Sequence, residues 1–288
     1  MTALQDAVAD LTGGYTDGYV DAGDLRLHHT DWNPDGGRPV VMVHGANVQL
    51  HTWDPIAASL AATRRVICLD LRGHGDSSWA RDGYQVAKFV DDIHTVTTAL
   101  NLAPFDYVGH SLGARVGLAY AGAHPETVRR LVLSDTGPEM PREGAKFAQS
   151  IVGSTGDIRG FRNHDEALAH FQKLHPEWQP IFHELHVQHQ LRENWAGKLV
   201  FKSDPDLFWM TGSAGVRDIP YVWEMTARIT APTLMLWGQR SGFLDDELIG
   251  RLGEAIASFE VARTDTGHYI PREAPEEFTK LVQEFLDR

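Results

Sequence analysis

Gly109-His110-Ser111-Leu112-Gly113 sets a serine hydroxyl between two glycines. The apolar run Phe105 to His110 precedes it and a small-residue stretch, Leu112 to Ala121, follows, so the serine sits where a strand passes into a helix. Such a turn lifts the serine oxygen clear of a sheet and places it at a helix N-terminus, where unpaired N–H groups and the helix dipole favour developing negative charge. Glycines on either side leave room for the crowded backbone. The chemistry this permits is attack of Ser111 on an acyl carbon. Attack also needs a base and two N–H donors for the oxyanion. Leu112, the residue after the nucleophile, offers one donor. The glycine loop Val43-His44-Gly45-Ala46-Asn47 offers the other, from Ala46, and Asn47 is read either as a side-chain contact to substrate or as a loop-shaping residue.

Fifteen histidines compete for the role of base. Gly267-His268 stands near the C-terminus, and its glycine allows the tight backbone that would present an imidazole over Ser111. An imidazole titrating near neutrality can take the serine proton and return it to a leaving group. His110 is read as packing beneath the turn and His44 as shaping its loop. His183, His186 and His189 recur at three-residue intervals and do not make the H-E-x-x-H pattern of a metal site, so they are expected in a pocket wall and no metal is expected.

These groups need a scaffold. Tyr19 to Thr30 alternates about Asp21-Ala22-Gly23 as a hairpin does. Short apolar runs follow at Arg38–His44, Arg65–Leu71, Phe105–His110, Arg130–Ser134, Pro232–Trp237 and Phe259–Ala262, the pattern of strands buried on both faces. Helical spacing lies between them at Ala87–Leu100, Leu112–Ala121, Asp245–Ala257 and Pro275–Leu286. The alternation predicts an α/β fold with a mainly parallel sheet. It breaks between Pro138 and Thr230, where no valine-rich strand occurs and where four of eight tryptophans and six of fifteen histidines gather. The expected organisation is therefore a core of residues 1–137 and 231–288 with a mostly helical cap of residues 138–230.

Length and charge limit the class. One core with an insertion suits 288 residues. A net charge of -13 argues against a nucleic-acid binder and against docking on anionic lipid. The cap carries 12 acids and 10 bases, so the acidic surplus belongs to the remainder and gives no support to a cationic substrate. A single cysteine, Cys68, forbids an internal disulfide. The first residues lack the basic and apolar runs of a signal peptide, and no run approaches a membrane span, so a cytoplasmic protein is expected.

The Ser111 turn, His44-Gly45 and Asp70-Leu71-Arg72-Gly73-His74-Gly75-Asp76-Ser77 together resemble the α/β-hydrolase family, over nearly the whole chain from about Tyr19. The resemblance implies a sheet of about eight strands, a cap inserted after the sixth, and His268 as the catalytic base. It also implies a carboxylate, which most relatives place after the seventh strand, three residues beyond a glycine. Here that strand runs into Gly238-Gln239-Arg240-Ser241-Gly242, and Ser241 cannot carry the charge. Asp245 and Asp246 come later and suit a helix start. Asp135, at the end of the sixth strand in Leu133-Ser134-Asp135-Thr136-Gly137, is assigned as the acid, in place of Asp245. This stretch is similar to that of α/β-hydrolases with a sixth-strand acid, among them 2-(acetamidomethylene)succinate hydrolase and zearalenone-type lactonases.

In the cap, Trp178, Trp195, Trp209, Trp223, Phe147, Phe182 and Tyr221 are read either as pocket wall or as the cap's own core. Arg142, Arg159, Arg162 and Arg192 are candidate clamps for a carboxylate. Trp178, Tyr221 and Arg192, with Asn47, are the selected substrate contacts. The expectation is a serine hydrolase acting on an ester, lactone, amide or enamide, with no cofactor, a small-molecule substrate and a homodimer as candidate assembly. A carbon–carbon bond hydrolase and a cofactor-free dioxygenase are the alternatives on the same scaffold.

Overall fold

Successive side chains of a strand point to opposite faces, so a sheet covered on both sides needs apolar residues at every position. The computed structural model, which describes residues 11, 13–142, 144–146, 160–207 and 216–288, shows this arrangement. Strands β1 (Tyr15–Ala22), β2 (Leu25–Trp32), β3 (Gly37–Val43), β4 (Arg64–Leu69), β5 (Phe105–His110) and β6 (Val128–Ser134) precede the cap segment. Within it lie two three-residue strands, β7 (Leu191–Glu193) and β8 (Leu199–Phe201), and after it come β9 (Thr233–Gly238) and β10 (Phe259–Thr264). The eight-stranded sheet has the order β1-β2-β4-β3-β5-β6-β9-β10. β2 pairs antiparallel with β1 and with β4, and every other pairing is parallel.

Alternate residues sort into two layers. Val41, Val43, Tyr107, Leu131 and Leu133 pack beneath the helices Val86–Ala99, Leu112–Ala123 and Asp246–Ala255. Val40, Met42, Val108, Val132 and Leu236 pack on the other face with the helices Asp54–Leu60 and Pro275–Leu286. Cys68 is buried in the second layer as a free thiol. The predicted strands and helices fall within a few residues of these bounds. The helix Asp54–Leu60 and the 3-10 turn Leu50–Trp53 before it are additions, too short to show a clear period in sequence.

The segment after β6 contains the helices His164–Leu174, Pro180–Gln190 and Ile219–Thr226. It is not helical throughout, because β7 and β8 form an antiparallel hairpin closed through Asn194 and Gly197. Runs of three residues lie below what periodicity can resolve. The helix Ile219–Thr226 packs on the helix Leu112–Ala123, and Val222 and Met225 join the core layer. Among the described residues no helix is long and apolar enough to cross a membrane.

The chain leaves β3 toward β4 on one side and later returns to β5 on the other. Loops after β3 and β5 therefore diverge, and a crevice opens at the carboxyl ends of these strands. Close packing at this point requires glycine. A Cβ on Gly113 would lie 2.2 Å from the Val43 carbonyl oxygen, and one on Gly109 would lie 2.4 Å from that of Gly113. Gly113→Ala is expected to cost about 3 kcal/mol of stability in urea unfolding, because backbone, not a flexible side chain, must move.

Candidate active site

Ser111 follows the last residue of β5 and precedes the first residue of the helix Leu112–Ala123. Its φ of +53° and ψ of -116° lie outside the regions that serine ordinarily adopts. Two hydrogen bonds hold this backbone, from Ser111 N–H to the Ser134 carbonyl and from Arg115 N–H to the Ser111 carbonyl, each at 3.0 Å. Serine is a strong helix N-cap, yet this hydroxyl caps nothing. Instead it lies 2.9 Å from His268 Nε2.

His268 Nδ1 is 2.8 Å from Asp135 Oδ2, and Asp135 Oδ1 accepts the Gly238 N–H at 2.9 Å. Asp135 sits just beyond β6 at φ +55°, a left-handed conformation that aspartate tolerates better than most residues. Its carboxylate and the imidazole are both buried. Burial pushes the Asp135 carboxyl upward, opposed by hydrogen bonds from the Ser241 hydroxyl and the Gly238 N–H. Burial pushes the His268 imidazole downward, which keeps it neutral with Nε2 able to accept the serine proton. Asp245 is elsewhere employed, accepting the Leu248 N–H at 2.8 Å as N-cap of the helix Asp246–Ala255. Ser241, where the family resemblance implies a carboxylate, instead hydrogen-bonds to Asp135 just beyond β6.

The loop after β3 passes directly against Ser111. A Cβ on Gly45 would lie 3.0 Å from Ser111 Cβ. His44 shapes this loop, since its Nε2 accepts the Leu71 N–H at 3.1 Å and its Nδ1–H therefore donates to the Gly45 carbonyl at 2.7 Å. Asn47 takes φ +59°, the left-handed conformation of a loop-shaping asparagine. Ala46 and Leu112, both half-buried, flank Ser111 from the loop and from the helix. The Asp70 loop lies alongside. Against burial, which would raise it, the hydrogen bond from His28 holds Asp70 low, at about 2, and Asp70 in turn accepts the Leu50 and Asp76 N–H groups.

Several contributors have no motif of their own. Phe243 stacks on the His268 ring at 3.7 Å between centroids. His110, rather than only filling space, donates from Nε2 to the His268 carbonyl at 2.8 Å. Glu273 accepts the Gly267 N–H at 2.8 Å and the Tyr269 N–H at 3.3 Å, so the histidine loop is tied from its own following helix.

The cap residues are distributed differently. Trp178 is buried, stacked on His175 at 4.0 Å and packed on Tyr269 at 5.1 Å, and Tyr269 in turn contacts His268. The Arg272 guanidinium lies 4.0 Å over Trp178 and donates to Thr52 Oγ1 at 2.9 Å, and burial pushes its pKa down to about 10. Tyr221 is half-buried on the helix that packs against Leu112–Ala123. Arg192 is exposed and lines a groove of about 360 Å³ with Gly75, Asp76, Ser77, Trp79 and Lys202, and no member of the Ser111 cluster lines that groove. Arg142 and Arg162 are exposed, Trp195 is fully exposed, Phe182 is core, and Trp223 packs beneath Arg251. Phe147, Arg159 and Trp209 lie outside the described residues.

Many histidines here are buried and held neutral. Burial pushes His74 to about 3, and burial with the nearby Arg272 does the same to His175, while His110 and His186 are also lowered. The unfolded chain, with ordinary histidines near 6.5, binds more protons than the folded one between about pH 6.5 and 3. Stability from these groups is complete above pH 6.5 and is lost as the pH falls. Each contributes a slope of about 1.4 kcal/mol per pH unit. Urea midpoints measured from pH 7.5 to 4.5 should fall with a proton uptake on unfolding of at least two, and a flat profile would refute this.

Comparisons with known proteins show the family to which this fold belongs. Residues 38–275 match the profile of the alpha/beta hydrolase fold. The chain is 29% identical to 3-hydroxybutyrate-oligomer hydrolase of Cupriavidus necator, over 86% of this chain and 88% of that one. It is 26% identical to cis-3-alkyl-4-alkyloxetan-2-one decarboxylase of Shewanella oneidensis, over 91% and 85%. Among solved structures, E-2-(acetamidomethylene)succinate hydrolase superposes with a TM-score of 0.86 at 22% identity, covering 95% of this chain and 100% of that one. The fold and the hydrolase-named relatives make the protein an enzyme of hydrolase type, and the chain belongs to the alpha/beta hydrolase fold family.

Proposed function

We propose that the protein is a serine hydrolase that cleaves a carboxylic ester, lactone or amide/enamide bond of a small-molecule metabolite through an acyl-enzyme. The observation that carries this reading is the unbroken line from Asp135 through His268 to Ser111, at 2.8 and 2.9 Å. In the proposed reaction His268 Nε2 takes the Ser111 proton as Oγ attacks the carbonyl carbon. The Ala46 and Leu112 N–H groups hold the oxyanion, a role that the close approach of Gly45 to Ser111 supports. Asp135 orients the imidazole and stabilises the imidazolium. The leaving group departs with the proton from Nε2. Water, deprotonated by the same nitrogen, then attacks the acyl carbon and frees Ser111. Residues 138–230 are proposed as the cap that bounds the substrate, with Trp178 packed on Tyr269, which in turn contacts His268.

The relative that is named for 3-hydroxybutyrate oligomers makes esters of short hydroxy acids the first substrates to try. A rapid-quench assay with p-nitrophenyl butyrate should release a burst of p-nitrophenol stoichiometric with enzyme, and mass spectrometry should place the butyryl group on Ser111. Absence of both burst and adduct across short acyl esters, or oxygen uptake during turnover, would overturn the reading.

A further inference from the structure

Three histidines at three-residue intervals on one helix do not converge, because each step turns the helix by about 300° and two steps fan them across about 120°. His183 and His186 accordingly turn toward Trp178, at 5.6 and 5.5 Å between ring centroids. His189 emerges on a different side, near the end of the helix Pro180–Gln190, and meets the core. Its ring stacks on that of His51 at 3.7 Å and an interplanar angle of 26°. His51 belongs to the 3-10 turn Leu50–Trp53, and its Nδ1 lies 2.9 Å from Asp54 Oδ2. Two imidazoles and one carboxylate thus meet where the inserted segment touches the core, four residues after Asn47. One ligand atom from each of the three lies within 4.8 Å of the others.

Two polar atoms of this group are buried without a partner, Asp54 Oδ1 and His189 Nε2. A neighbouring cluster shows the contrast. His28, Asp70 and Asp76 also approach one another, but Asp70 Oδ1 takes the Leu50 N–H, Asp70 Oδ2 takes His28 and the Asp76 N–H, and His28 Nε2 reaches Asp17. That network is complete and organises a loop. The His51 group has unused polar capacity, and His189, its one half-buried member, stands at its edge.

We propose that His51, Asp54 and His189 form a divalent transition-metal site, of zinc type, which clips the helix Pro180–Gln190 to the core. Two imidazole nitrogens and one carboxylate oxygen, with water in a fourth position, are a donor set that zinc accepts, whereas calcium and magnesium demand more oxygens. Zinc–ligand distances near 2.1 Å bring tetrahedral donors to about 3.4 Å apart. Binding therefore draws the three side chains together and replaces the ring stack with coordination. Two donors stand one turn apart on the core and the inserted segment delivers the third, so metal affinity and docking of that segment are linked.

The test uses the full chain after chelator treatment. Calorimetric titration with zinc chloride should show one equivalent bound, and the melting temperature should rise by about 5 °C at a hundredfold excess over Kd. His189→Gln should weaken binding at least tenfold and abolish the rise. His170→Gln, at an exposed histidine of the neighbouring helix, should leave both intact. Cobalt(II) bound to the wild-type chain should give the intense visible bands of four-coordinate cobalt, a readout independent of any variant's folding. Absence of a saturable single equivalent, the pale spectrum of six-coordinate cobalt, or equal zinc affinity in the His189→Gln protein would each overturn the proposal.

Discussion

Ser111→Ala is expected to lower kcat/KM toward any ester substrate by about 10⁴-fold or more while the chain stays folded. The size follows from the arrangement. Ser111 Oγ is the atom facing His268 Nε2 at 2.9 Å, and alanine leaves the base without a nucleophile to activate. Stability should change little, because alanine keeps the same Cβ in the same strained turn, and only one hydrogen bond, worth about 1 kcal/mol, is lost. The melting temperature should stay within about 3 °C. Labelling by a fluorophosphonate should vanish together with turnover. Activity within tenfold of wild type would remove Ser111 from the mechanism and, with it, the acyl-enzyme.

The second large effect separates two aspartates. Asp135→Asn should reduce kcat by about 10⁴-fold, since an amide holds His268 in the wrong tautomer and does not stabilise the imidazolium. Asp245→Asn should leave kcat within twofold, and Asp245→Ala should cost only about 1 kcal/mol of stability, the value of a helix cap. The structure gives the reason: Asp135 Oδ2 is 2.8 Å from His268 Nδ1, while Asp245 Oδ1 takes the Leu248 N–H. A further comparison uses Ser241, whose hydroxyl bonds to Asp135. Because position 241 adjoins the acid, Asp135→Asn combined with Ser241→Asp should recover at least tenfold of the lost kcat. Loss of activity in Asp245→Asn alone would reverse the assignment of the acid.

The sheet was legible in the sequence because strands covered on both faces must be apolar throughout, as Val40–Val43 and Leu131–Leu133 are. The strand-to-helix turn at Ser111 was legible because Gly109 and Gly113 are demanded by backbone contacts that admit no Cβ. Less was legible where elements are short. The hairpin β7–β8 offers three residues per strand, and Leu50–Trp53 a single turn. The aromatic wealth of the inserted segment likewise left its uses open, since burial in a core and exposure to a substrate select the same residue types. Trp178 proves to be packed beside Tyr269 and Arg272, whereas Arg192 lines a separate groove.

By itself, then, the sequence determined the α/β class and the strand-to-helix turn at Ser111, because these depend on local patterns of period, glycine and residue type, while a family resemblance supplied the candidates for base and acid. Tertiary structure alone decided which groups meet. Ser111, Asp135 and His268 are separated by 24 and 133 residues along the chain, and only the mainly parallel sheet, with its crossing point beside β3 and β5, carries their loops to one end. The same holds for the support of the site. Phe243 on His268, Ser241 on Asp135, His110 on the histidine loop and His189 on His51 are contacts between distant segments. No local pattern encodes such contacts, because each depends on how separate elements pack.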